Sequence, residues 1–582
     1  MTRTSGDFAA PALQRRTLLA AAALAPLAPL ASLATLAACA PGAAPAAYTG
    51  GWVGADAARG HALRERKAAG LPAPDVQRRA GAIVVGGGVA GLAAARALMR
   101  AGVDDVHLLE LEDGPGGNAR GHVIAGMACP LGAHYLPLPG DAAVDVIELL
   151  EAFGLRTTER GVPVYDERHL CHSPQERLLI DGVWHDGLLP PIDALPAAER
   201  AATLAQYRQF AAAVGAASAD LAFAMPTARS RWSPRLAALD ATAFGPWLDA
   251  QGLTAPALRW YLDHGCRDDY GAGAMQVSAW AGLHYFASRH GFHAPGEGSA
   301  EREGVLTWPE GNAWLTRRLA APLGERLHSA QVVLRVAESR SEVTVDVWDA
   351  RRNRLERWAA AQVVLAVPLF VAARLLESPP AALVQAAAEG HYAPWLVANL
   401  HLDTPLADRP GAAPAWDNVA YDPGRASGRA SGHASGDASP ALGYVDAMHQ
   451  STRSVPGATV LTAYWALGGG APEARATQRG RLLAEPWSHW ANAVLRDLER
   501  MHPDLPAKLR HVDLMRYGHA MRIPLPGARG SAALRALAAP QRRVHYAHSD
   551  LSGYSVFEEA LYHGTRAGRA ALGGAAAARA LR

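Results

Sequence analysis

Three glycines and a carboxylate stand at spacings that suit the binding of a dinucleotide. Gly86, Gly88 and Gly91 form the pattern G-x-G-x-x-G, and Glu110 ends the next apolar run. Gly86 permits a tight turn, Gly88 lets the backbone approach a pyrophosphate, and Gly91 lets a helix pack closely. Glu110 is suited to accept hydrogen bonds from ribose hydroxyls, which favours FAD or NAD over NADP. The alternative is an ordinary turn between a strand and a helix.

The flanking sequence supplies the elements that position these residues. Residues 82–85 form an apolar, β-branched run that predicts a buried strand, and an Ala/Leu/Arg-rich stretch after the glycines predicts a helix. A second strand is predicted at 107–109. The N-terminus of the helix, at Val89 and Ala90, offers unpaired N–H groups and a positive dipole end to phosphates. The order strand, turn, helix, strand, acid therefore predicts a dinucleotide site.

A glycine pair, Gly116-Gly117, follows Glu110 and lets a second loop approach a cofactor that extends beyond the first phosphates. With the G-x-G-x-x-G pattern, this pair resembles the flavin-containing amine oxidase superfamily, which includes phytoene desaturase-like enzymes. That family places an arginine directly after the glycines, whereas this chain has Asn118 there and Arg120 two positions later. The resemblance implies that Asn118 and Arg120 lie at the cofactor.

Strand-like runs in the middle of the chain carry the same resemblance. Residues 331–336, 343–347 and 363–368 are apolar or alternate in the manner of strands. The family has a strand at the first of these runs whose backbone touches the adenine. The resemblance therefore implies that Val333 contacts the cofactor.

The C-terminal part adds a second cofactor element. A helix is predicted over about 556–573, and Ser555 and Glu558 form a capping box at its start. In the family, a carboxylate just before this helix meets the ribityl-pyrophosphate region, and Asp550 is the nearest acid. The resemblance thus implies FAD, bound without a covalent link, with Asp550 and Ser555 at its site.

The resemblance implies an α/β fold with a Rossmann-like FAD-binding domain, discontinuous in sequence, and a mixed α+β substrate domain. The tetrapeptide repeat at 424–439 predicts a disordered loop. The predicted segments are a signal at 1–39, a tether and lead-in helix at 40–79, cofactor-domain parts at 80–139, 301–385 and 511–582, a mostly helical substrate-domain part at 140–300, and a second substrate-domain part at 386–510.

The sequence does not mark a catalytic acid or base. Amine oxidases of this class usually carry a lysine that holds a water near the flavin, in the strand that corresponds to residues 392–400 here. That stretch has no lysine, and the chain has only Lys67 and Lys508. His519 and Tyr554 are the candidate catalytic residues beside the flavin, which itself carries the hydride chemistry.

Several polar and aromatic clusters are candidates for a pocket lining, among them Asp268-Asp269, the run 308–312 that ends in Asn312, and Tyr464. The alternative for each cluster is an ordinary loop or helix face. The prediction is an FAD-dependent oxidoreductase that removes a hydride from a C–N or C–C bond of a small-molecule substrate. Two alternatives stay open because the lysine is missing: an FAD-dependent desaturase or isomerase on an apolar substrate, and a non-catalytic assembly protein that FAD stabilises.

The first residues predict an export signal. Arg15-Arg16 precede an apolar stretch that contains two prolines, a pattern that resembles a Tat signal. The stretch ends in Leu-Ala-Ala-Cys at 36–39, which resembles a bacterial lipobox with Cys39 as the lipidated residue. We expect export of the folded protein by the Tat machinery to the periplasm, with an N-terminal lipid anchor on the membrane. A transmembrane helix is the alternative.

The composition argues against other function classes. The 582 residues carry 56 Lys or Arg against 54 Asp or Glu, and no basic tract with interleaved aromatics occurs, so no nucleic-acid partner is expected. Besides Cys39, the chain has Cys129, Cys171 and Cys266. These thiols show neither a disulfide framework nor ligand spacing, and no metal site is expected.

Overall fold

The computed structural model describes residues 48–68, 70–219, 223–296, 304–422 and 439–579. The export signal predicted at 1–39, with Cys39, and the repeat from 424 to 438 lie outside the described residues. The strands are β1 (Thr49–Trp52), β2 (Val76–Val85), β3 (Val106–Leu109), β4 (Gly121–Ile124), β5 (Met127–Pro130), β6 (Tyr135–Pro137), β7 (Arg156–Glu159), β8 (Val162–Tyr165), β9 (Glu176–Ile180), β10 (Val183–Asp186), β11 (Val305–Thr307), β12 (Leu327–His328), β13 (Gln331–Glu338), β14 (Val343–Asp349), β15 (Arg354–Leu365), β16 (Tyr392–Leu402), β17 (Asp417–Ala420), β18 (Ala441–Asp446), β19 (Thr459–Ala466), β20 (Leu509–Arg522) and β21 (Val544–Tyr546).

The α-helices alternate with these strands along the chain. They are α1 (Ala57–Ala68), α2 (Val89–Arg100), α3 (Val144–Ala152), α4 (Ala197–Ser218), α5 (Pro234–Asp240), α6 (Phe244–Ala250), α7 (Pro256–Tyr270), α8 (Ala279–Tyr285), α9 (Ala313–Ala320), α10 (Leu369–Leu375), α11 (Ala381–Ala388), α12 (Pro472–Ala484), α13 (Trp487–Met501), α14 (Leu505–Lys508), α15 (Ala532–Ala538) and α16 (Phe557–Arg579). No helix among the described residues is long and apolar enough to cross a membrane.

One sheet is built around the glycine turn. Its strand order is β12-β3-β2-β15-β14-β13, and β21 pairs with β15. β2 runs parallel to both β3 and β15, and α2 connects β2 to β3. Ile83 and Val84 near the end of β2 are fully buried, because both faces of the parallel part of this mixed sheet are covered. The glycine turn therefore lies at the carboxyl end of a central parallel strand, where open α/β sheets bind their ligands.

The C-terminal helix α16 packs directly on α2. A Cβ added to Gly564 would lie 2.1 Å from the Ala90 carbonyl oxygen, and one added to Gly568 would lie 2.5 Å from that of Ala94. These glycines, one turn apart, let the two helix backbones approach more closely than any side chain would permit. The C-terminal helix thus packs beside the glycine turn, about 470 residues away from it in the sequence.

The second, larger sheet has the order β1-β20-β16-β19-β18-β17-β9-β10. Helices α12, α13 and α14 cover one face of it, where Leu482, Trp490 and Leu498 pack against Leu396 and Leu461. The helices α4 to α8 build a separate core against its other face. This sheet therefore has helices on both faces, and its neighbouring strands β16 and β19 are almost continuously buried.

The structure corrects several predicted boundaries. β20 pairs with β16 along its length, so residues 511–522 belong to the larger sheet and not with the C-terminal cofactor segment. β1 pairs with β20, so residues 49–52 of the predicted tether are a strand. Four strands, β7 to β10, lie between α3 and α4 in the segment 140–300, which was predicted to be mostly helical. Ser439, at the end of the repeat, is buried. The pairings of β20 with β16 and of β1 with β20 join distant parts of the chain, and such pairings have no local sequence signal.

Candidate functional site

A cavity of about 1170 Å³ extends from the glycine turn to the central strands of the larger sheet. It collects residues from nearly every segment that the sequence singles out. The predicted site residues in its lining are Gly86, Gly88, Val89, Ala90, Glu110, Gly116, Gly117, Asn118, Val333, Asp550, Ser555 and His519. Three predicted residues, Gly91, Arg120 and Tyr554, lie outside the lining.

The glycine turn has room for a cofactor at one position and is closed at the others. A Cβ on Gly88 would meet only the Gly117 Cα, at 3.8 Å, so this face of the turn is open toward the cavity. By contrast, a Cβ on Gly86 would lie 2.6 Å from the Ala366 carbonyl, and one on Gly91 would lie 1.8 Å from the Gly86 carbonyl. Gly86 and Gly91 are therefore needed for the close packing of the turn itself, whereas the lack of a side chain at Gly88 keeps the space beside the turn open.

The N-terminus of α2 points its backbone N–H groups toward that space. Gly88 occupies the N-cap position and supplies no side-chain hydrogen bond to the first turn. Uncapped N–H groups and the positive end of the helix dipole bind phosphate well. The turn thus offers both the room and the donors that a pyrophosphate needs.

The second glycine pair closes over the first turn. The Gly116 N–H donates to the Gly87 carbonyl at 2.8 Å, and a Cβ on Gly117 would lie 3.0 Å from the Gly88 Cα. Both Gly116 and Gly117 have positive φ, which favours glycine. Any ligand at Gly88 is therefore held between two glycine loops.

Asn118 and Arg120 take different positions. Asn118 lines the cavity and donates from Nδ2 to the Ala520 carbonyl in β20 at 2.6 Å. Arg120 donates from Nε to the Gly117 carbonyl and from Nη1 to the Gly54 carbonyl, both at 3.1 Å. Arg120 therefore supports the glycine loop through two backbone carbonyls, and it lies outside the lining of the cavity, whereas the resemblance implies a contact with the cofactor.

Glu110 is a buried carboxylate at the edge of the cavity. Its Oε2 accepts the Gly87 N–H at 2.6 Å, and its Oε1 accepts the Glu112 N–H at 2.8 Å. Burial raises its pKa, and the two N–H donors oppose that rise. Each carboxylate oxygen keeps a further lone pair, so Glu110 can still accept from a ribose hydroxyl.

Asp550 is held by the protein itself. Its Oδ2 accepts the Leu369 N–H at 3.0 Å and the Tyr392 hydroxyl at 2.6 Å, and His548 lies 3.2 Å from Oδ1. Although Asp550 is fully buried, His548, Arg522 and Tyr392 hold its pKa well below the usual range. Ser555 likewise uses its hydroxyl to accept the Arg522 N–H at 3.0 Å.

Tyr554, one of the two candidate catalytic residues, lies in the core and not in the cavity. It is 1% exposed and stands against Tyr270, Trp280 and His284. Its hydroxyl donates to Glu559 at 3.0 Å. Its position in the sequence, near the cofactor junction, does not reveal that the side chain turns away.

The inner end of the cavity, remote from the glycine turn in sequence, is rich in acceptors. The Tyr135 hydroxyl donates to Asp268 Oδ2 at 3.0 Å. Arg289 forms ion pairs with Asp269 and with Glu558, the latter at 3.1 Å. Asp269 Oδ2 and Asn312 Oδ1 are buried without a hydrogen-bond partner among the described residues. We call Tyr135, Asp268, Asp269, Arg289 and Asn312 the inner pocket; all five line the cavity.

Electrostatics distinguishes the two carboxylates of the inner pocket. Burial and the neighbouring Asp269 raise the pKa of Asp268 to about 6. Burial also raises the pKa of Asp269, but its ion pair with Arg289 opposes this rise. Asp268 therefore changes its charge close to neutral pH, a property suited to proton transfer.

Aromatic rings wall the inner pocket. The His134 and Tyr464 rings stack with centroids 4.4 Å apart, and Trp395 lines the cavity nearby. Burial lowers the pKa of His134 to about 3, so this imidazole is neutral. Aromatic ring faces next to hydrogen-bond acceptors are suited to bind an organic cation.

Asp268, Asp269, Asn312 and Tyr464 stand in clusters that the sequence marks as candidates for a pocket lining, whereas three of their neighbours do not. Tyr135 and His134 come from β6 and the loop before it, and Arg289 comes from the segment after α8. None stands in a recognisable pattern. The described residues contain no group of three or more His, Cys, Asp or Glu that could hold a metal ion.

The lining of the cavity contains no lysine among the described residues. Lys508 lies at the end of α14, where its ammonium pairs with Asp504 at 2.6 Å. The cavity thus brings the cofactor-type turn and a polar pocket into one space without the lysine that the resemblance leads one to expect.

Comparison with known proteins places this arrangement among flavoproteins. The profile of the family described as flavin containing amine oxidoreductase matches residues 89–572. No curated protein matches the chain.

Several solved structures share the fold. Putrescine oxidase bound to putrescine is 18% identical with a TM-score of 0.57, over 85% of this chain and 100% of the other. Cyclohexylamine oxidase from Brevibacterium oxydans IH-35A is 18% identical with a TM-score of 0.58, over 86% and 99%. A fatty acid isomerase from P. acnes that produces CLA is 15% identical with a TM-score of 0.55, over 84% and 97%. At these identities the likeness shows the fold alone.

Proposed function

The chain belongs to the flavin-containing amine oxidoreductase family and is an FAD-dependent oxidoreductase, and from this premise we propose that it oxidises a C–N bond of a small organic cation. The observation that carries the proposal is the single cavity that joins the glycine turn to the inner pocket. One end of that cavity suits a dinucleotide, and the other offers carboxylates and aromatic rings to a cation.

We assign the FAD to the space between the two glycine loops. The sheet with the order β12-β3-β2-β15-β14-β13 is proposed as a Rossmann-like FAD-binding domain, assembled from separate parts of the chain. The α2 N-terminus binds the pyrophosphate, Glu110 the ribose and Val333 the adenine side. FAD supplies the hydride acceptor when it is bound.

The residues of the inner pocket prepare the substrate. A cationic nitrogen is attracted by Asp268 and Asp269, and Asn312 Oδ1 accepts one of its N–H groups. Because Tyr135 occupies Asp268 Oδ2, the other oxygen of Asp268 is available to take a proton from the nitrogen. A pKa of about 6 suits a general base near neutral pH. The His134 and Tyr464 rings exclude water from this end.

The test is anaerobic mixing of purified protein with small primary and secondary amines and with polyenes. The expected result is bleaching of the flavin absorption band by amines, at a rate that falls about 100-fold or more in Asp268→Asn. Asp145→Asn is a matched control, because Asp145 lies in α3 and does not line the cavity. Bleaching by polyenes alone would support the second candidate below and contradict this one.

The second candidate is a desaturase or isomerase that acts on an apolar substrate. It is favoured by the absence of lysine from the described lining, and a fatty acid isomerase has the same fold. The unpartnered acceptors Asp269 Oδ2 and Asn312 Oδ1 argue against it, since an apolar substrate would leave them unsatisfied. A third possibility is an assembly protein that FAD stabilises; a flavin that no small molecule reduces would favour it.

We further propose that the protein is exported by the Tat machinery and anchored through a lipid at Cys39. The twin Arg15-Arg16 and the Leu-Ala-Ala-Cys run support this proposal. Mass spectrometry of the mature protein from a bacterial host tests it: the expected N-terminus is a lipidated Cys39. Cytoplasmic retention of an Arg15→Lys, Arg16→Lys variant is expected, and its normal export would contradict Tat transport.

A further inference from the structure

The mouth of the cavity carries a cluster of basic side chains, of which the arginines are the cations. Among the residues that line the cavity, those exposed to solvent define its mouth; they include His61, Arg64, Arg374 and His519, together with one acid, Asp56. Arg475 and Arg479 line the cavity just inside. We call these basic residues, together with the half-buried His391, the cationic rim.

The rim is assembled from elements that are far apart in the sequence. His61 and Arg64 come from α1, Arg374 comes from α10, and His519 comes from β20. The two inner arginines, Arg475 and Arg479, lie one turn apart on α12. No sequence motif joins these residues, so the concentration of charge is a product of the fold.

The two inner arginines have neutral hydrogen-bond partners. Arg479 donates from Nε to the Gly518 carbonyl at 2.6 Å and from Nη2 to the Tyr392 carbonyl at 3.2 Å. Arg475 donates from Nη1 to the Gly470 carbonyl at 2.5 Å. Within the described part of the chain, no carboxylate lies within ion-pair distance of Arg475 or Arg479. The exposed Glu473 on the same helix acts on Arg475 from a longer distance and opposes the lowering of its pKa by burial.

Like charges in this arrangement repel one another. Burial lowers the pKa of Arg479, and the charge of Arg475 lowers it further. Although part of the His519 side chain reaches solvent, partial burial of its ring, together with Arg479, Arg374, Arg64 and His61, lowers its pKa to about 4, so this candidate catalytic residue is neutral near pH 7. Arginines that line a cavity without a paired carboxylate are stabilised when an anion binds.

The site assigned above to the cofactor phosphates uses other residues of the same cavity. The pyrophosphate site described above is at Gly88 and the N-terminus of α2, in the smaller sheet. Arg475 and Arg479 approach from α12, which covers the larger sheet. The arginines of the rim and the carboxylates Asp268 and Asp269 thus belong to two different parts of the lining, which also contains the acids Asp56, Glu110, Glu112 and Asp550.

We propose that the cationic rim binds an anionic group, a carboxylate or a phosphate, which the substrate carries at the end opposite its nitrogen. This inference rests on the proposed function, since it names the second end of the same substrate. The nitrogen end enters the inner pocket, and the anionic end stays at the rim. The substrate class is thus a zwitterion that spans the cavity, and not a plain alkylamine.

The experiment compares matched molecules on the holoenzyme. An ω-amino carboxylate, an ω-amino alkyl phosphate and the plain alkylamine of the same chain length are each mixed anaerobically with the protein, and flavin reduction is followed. The expected KM of at least one anionic amine is about tenfold below that of the alkylamine, because charge-assisted hydrogen bonds contribute on this scale. The two anionic amines distinguish carboxylate from phosphate as the group that the rim takes.

The variant for this test is the double substitution Arg64→Gln, Arg374→Gln, chosen because both side chains are exposed and their loss leaves the core intact. We expect the preference for the anionic amine to fall about tenfold. Arg231→Gln is the matched control, since Arg231 is exposed and does not line the cavity. A second arm needs no turnover: a carboxylate without an amine and its neutral amide are titrated against the flavin spectrum, and tighter binding of the carboxylate is expected.

The outcomes separate this inference from the proposed function. Equal KM values for all three amines would overturn the rim proposal and leave amine oxidation standing. If no amine reduces the flavin, amine oxidation fails, and the titration alone decides: equal affinity for carboxylate and amide overturns the rim. Loss of bound FAD from the double variant, with the preference unchanged, would show that the rim serves the cofactor phosphates, and would also overturn the proposal.

Discussion

The Tyr392 hydroxyl donates a 2.6 Å hydrogen bond to Asp550 Oδ2. Tyr392 begins β16 in the larger sheet, whereas Asp550 lies in the segment between β21 and α16. The same oxygen of Asp550 accepts the Leu369 N–H at the start of α10. One carboxylate therefore ties three distant segments together at the edge of the cavity, which is a structural role in addition to any contact with FAD.

Replacement of Tyr392 by Phe should weaken this junction. We expect the free energy of unfolding to fall by about 1–2 kcal/mol, because a buried carboxylate loses one of its donors. Bound FAD should be retained, since the carboxylate keeps the Leu369 N–H. Chemical denaturation and the ratio of flavin to protein absorbance measure the two effects.

Tyr48→Phe is the matched control for this variant. The Tyr48 hydroxyl donates to Asn492 at 2.8 Å in an exposed setting, so its loss should change stability by about 0.5 kcal/mol or less. Equal destabilisation in both variants would show that the hydrogen bond from Tyr392 to Asp550 stabilises the fold no more than an exposed hydrogen bond does.

Gly88→Val should abolish FAD binding and leave the fold intact. The structure has room for a Cβ at Gly88, whose nearest neighbour would be the Gly117 Cα at 3.8 Å. The valine would instead fill the space that the pyrophosphate needs. Absorbance of the purified protein measures the bound flavin, and far-UV circular dichroism measures the fold. Gly215→Val, at an open position of α4, is the control; a Gly88→Val protein with a full complement of FAD would refute the assigned turn.

Gly91→Ala should act on the fold and not on cofactor space. A Cβ at Gly91 would lie 1.8 Å from the Gly86 carbonyl, so the start of α2 must move away from the turn. We expect a loss of about 1–3 kcal/mol in the free energy of unfolding of the apoprotein, as for other overpacked sites. Thermal denaturation of cofactor-free protein tests this, and an unchanged stability would contradict the close packing.

Asp268 should make catalysis depend on pH. Because burial and Asp269 raise its pKa to about 6, the carboxylate is protonated below this pH and can neither attract a cation nor take its proton. We expect kcat/KM for an amine to rise with pH through about 6 and then to level. In Asp268→Asn this rise should be absent; a profile that keeps the same inflection would assign it to another group.

The raised pKa of Asp268 also affects stability: activity is expected to rise with pH, whereas the free energy of unfolding is expected to fall. The unfolded carboxyl titrates near its ordinary value of 3.8, and the folded one near 6. Between these values the folded state holds a proton that the unfolded state has lost, so the free energy of unfolding falls as pH rises, by about 3 kcal/mol at most. Asp268→Asn removes this part of the pH dependence, which denaturation at a series of pH values measures.

The sequence determined the elements around the glycine turn because their signals are local. An apolar strand, a turn that requires glycine and a helix follow one another between residues 76 and 100, and β13, β14 and β16 likewise show their strand patterns. Glu110 and the Gly-Gly pair follow from their spacing after this turn, whereas Asp550 was implied by the resemblance to the family; all of them line the cavity. Arg120 and Tyr554 were identified by position alone, and position does not give the direction of a side chain.

Only the tertiary structure decided the remainder of the site. The inner pocket joins Tyr135, Asp268, Arg289 and Asn312, and the cationic rim joins α1, α10, α12 and β20; neither set has a spacing that a sequence could display. Their meeting depends on strand pairings such as β20 with β16 and β1 with β20, which bring distant segments together. The turn proposed to bind the cofactor phosphates can be recognised in one short stretch of sequence, because a phosphate is bound by a single turn and the helix that follows it. The substrate end cannot, because a pocket is a closed surface to which many segments each contribute one or two side chains.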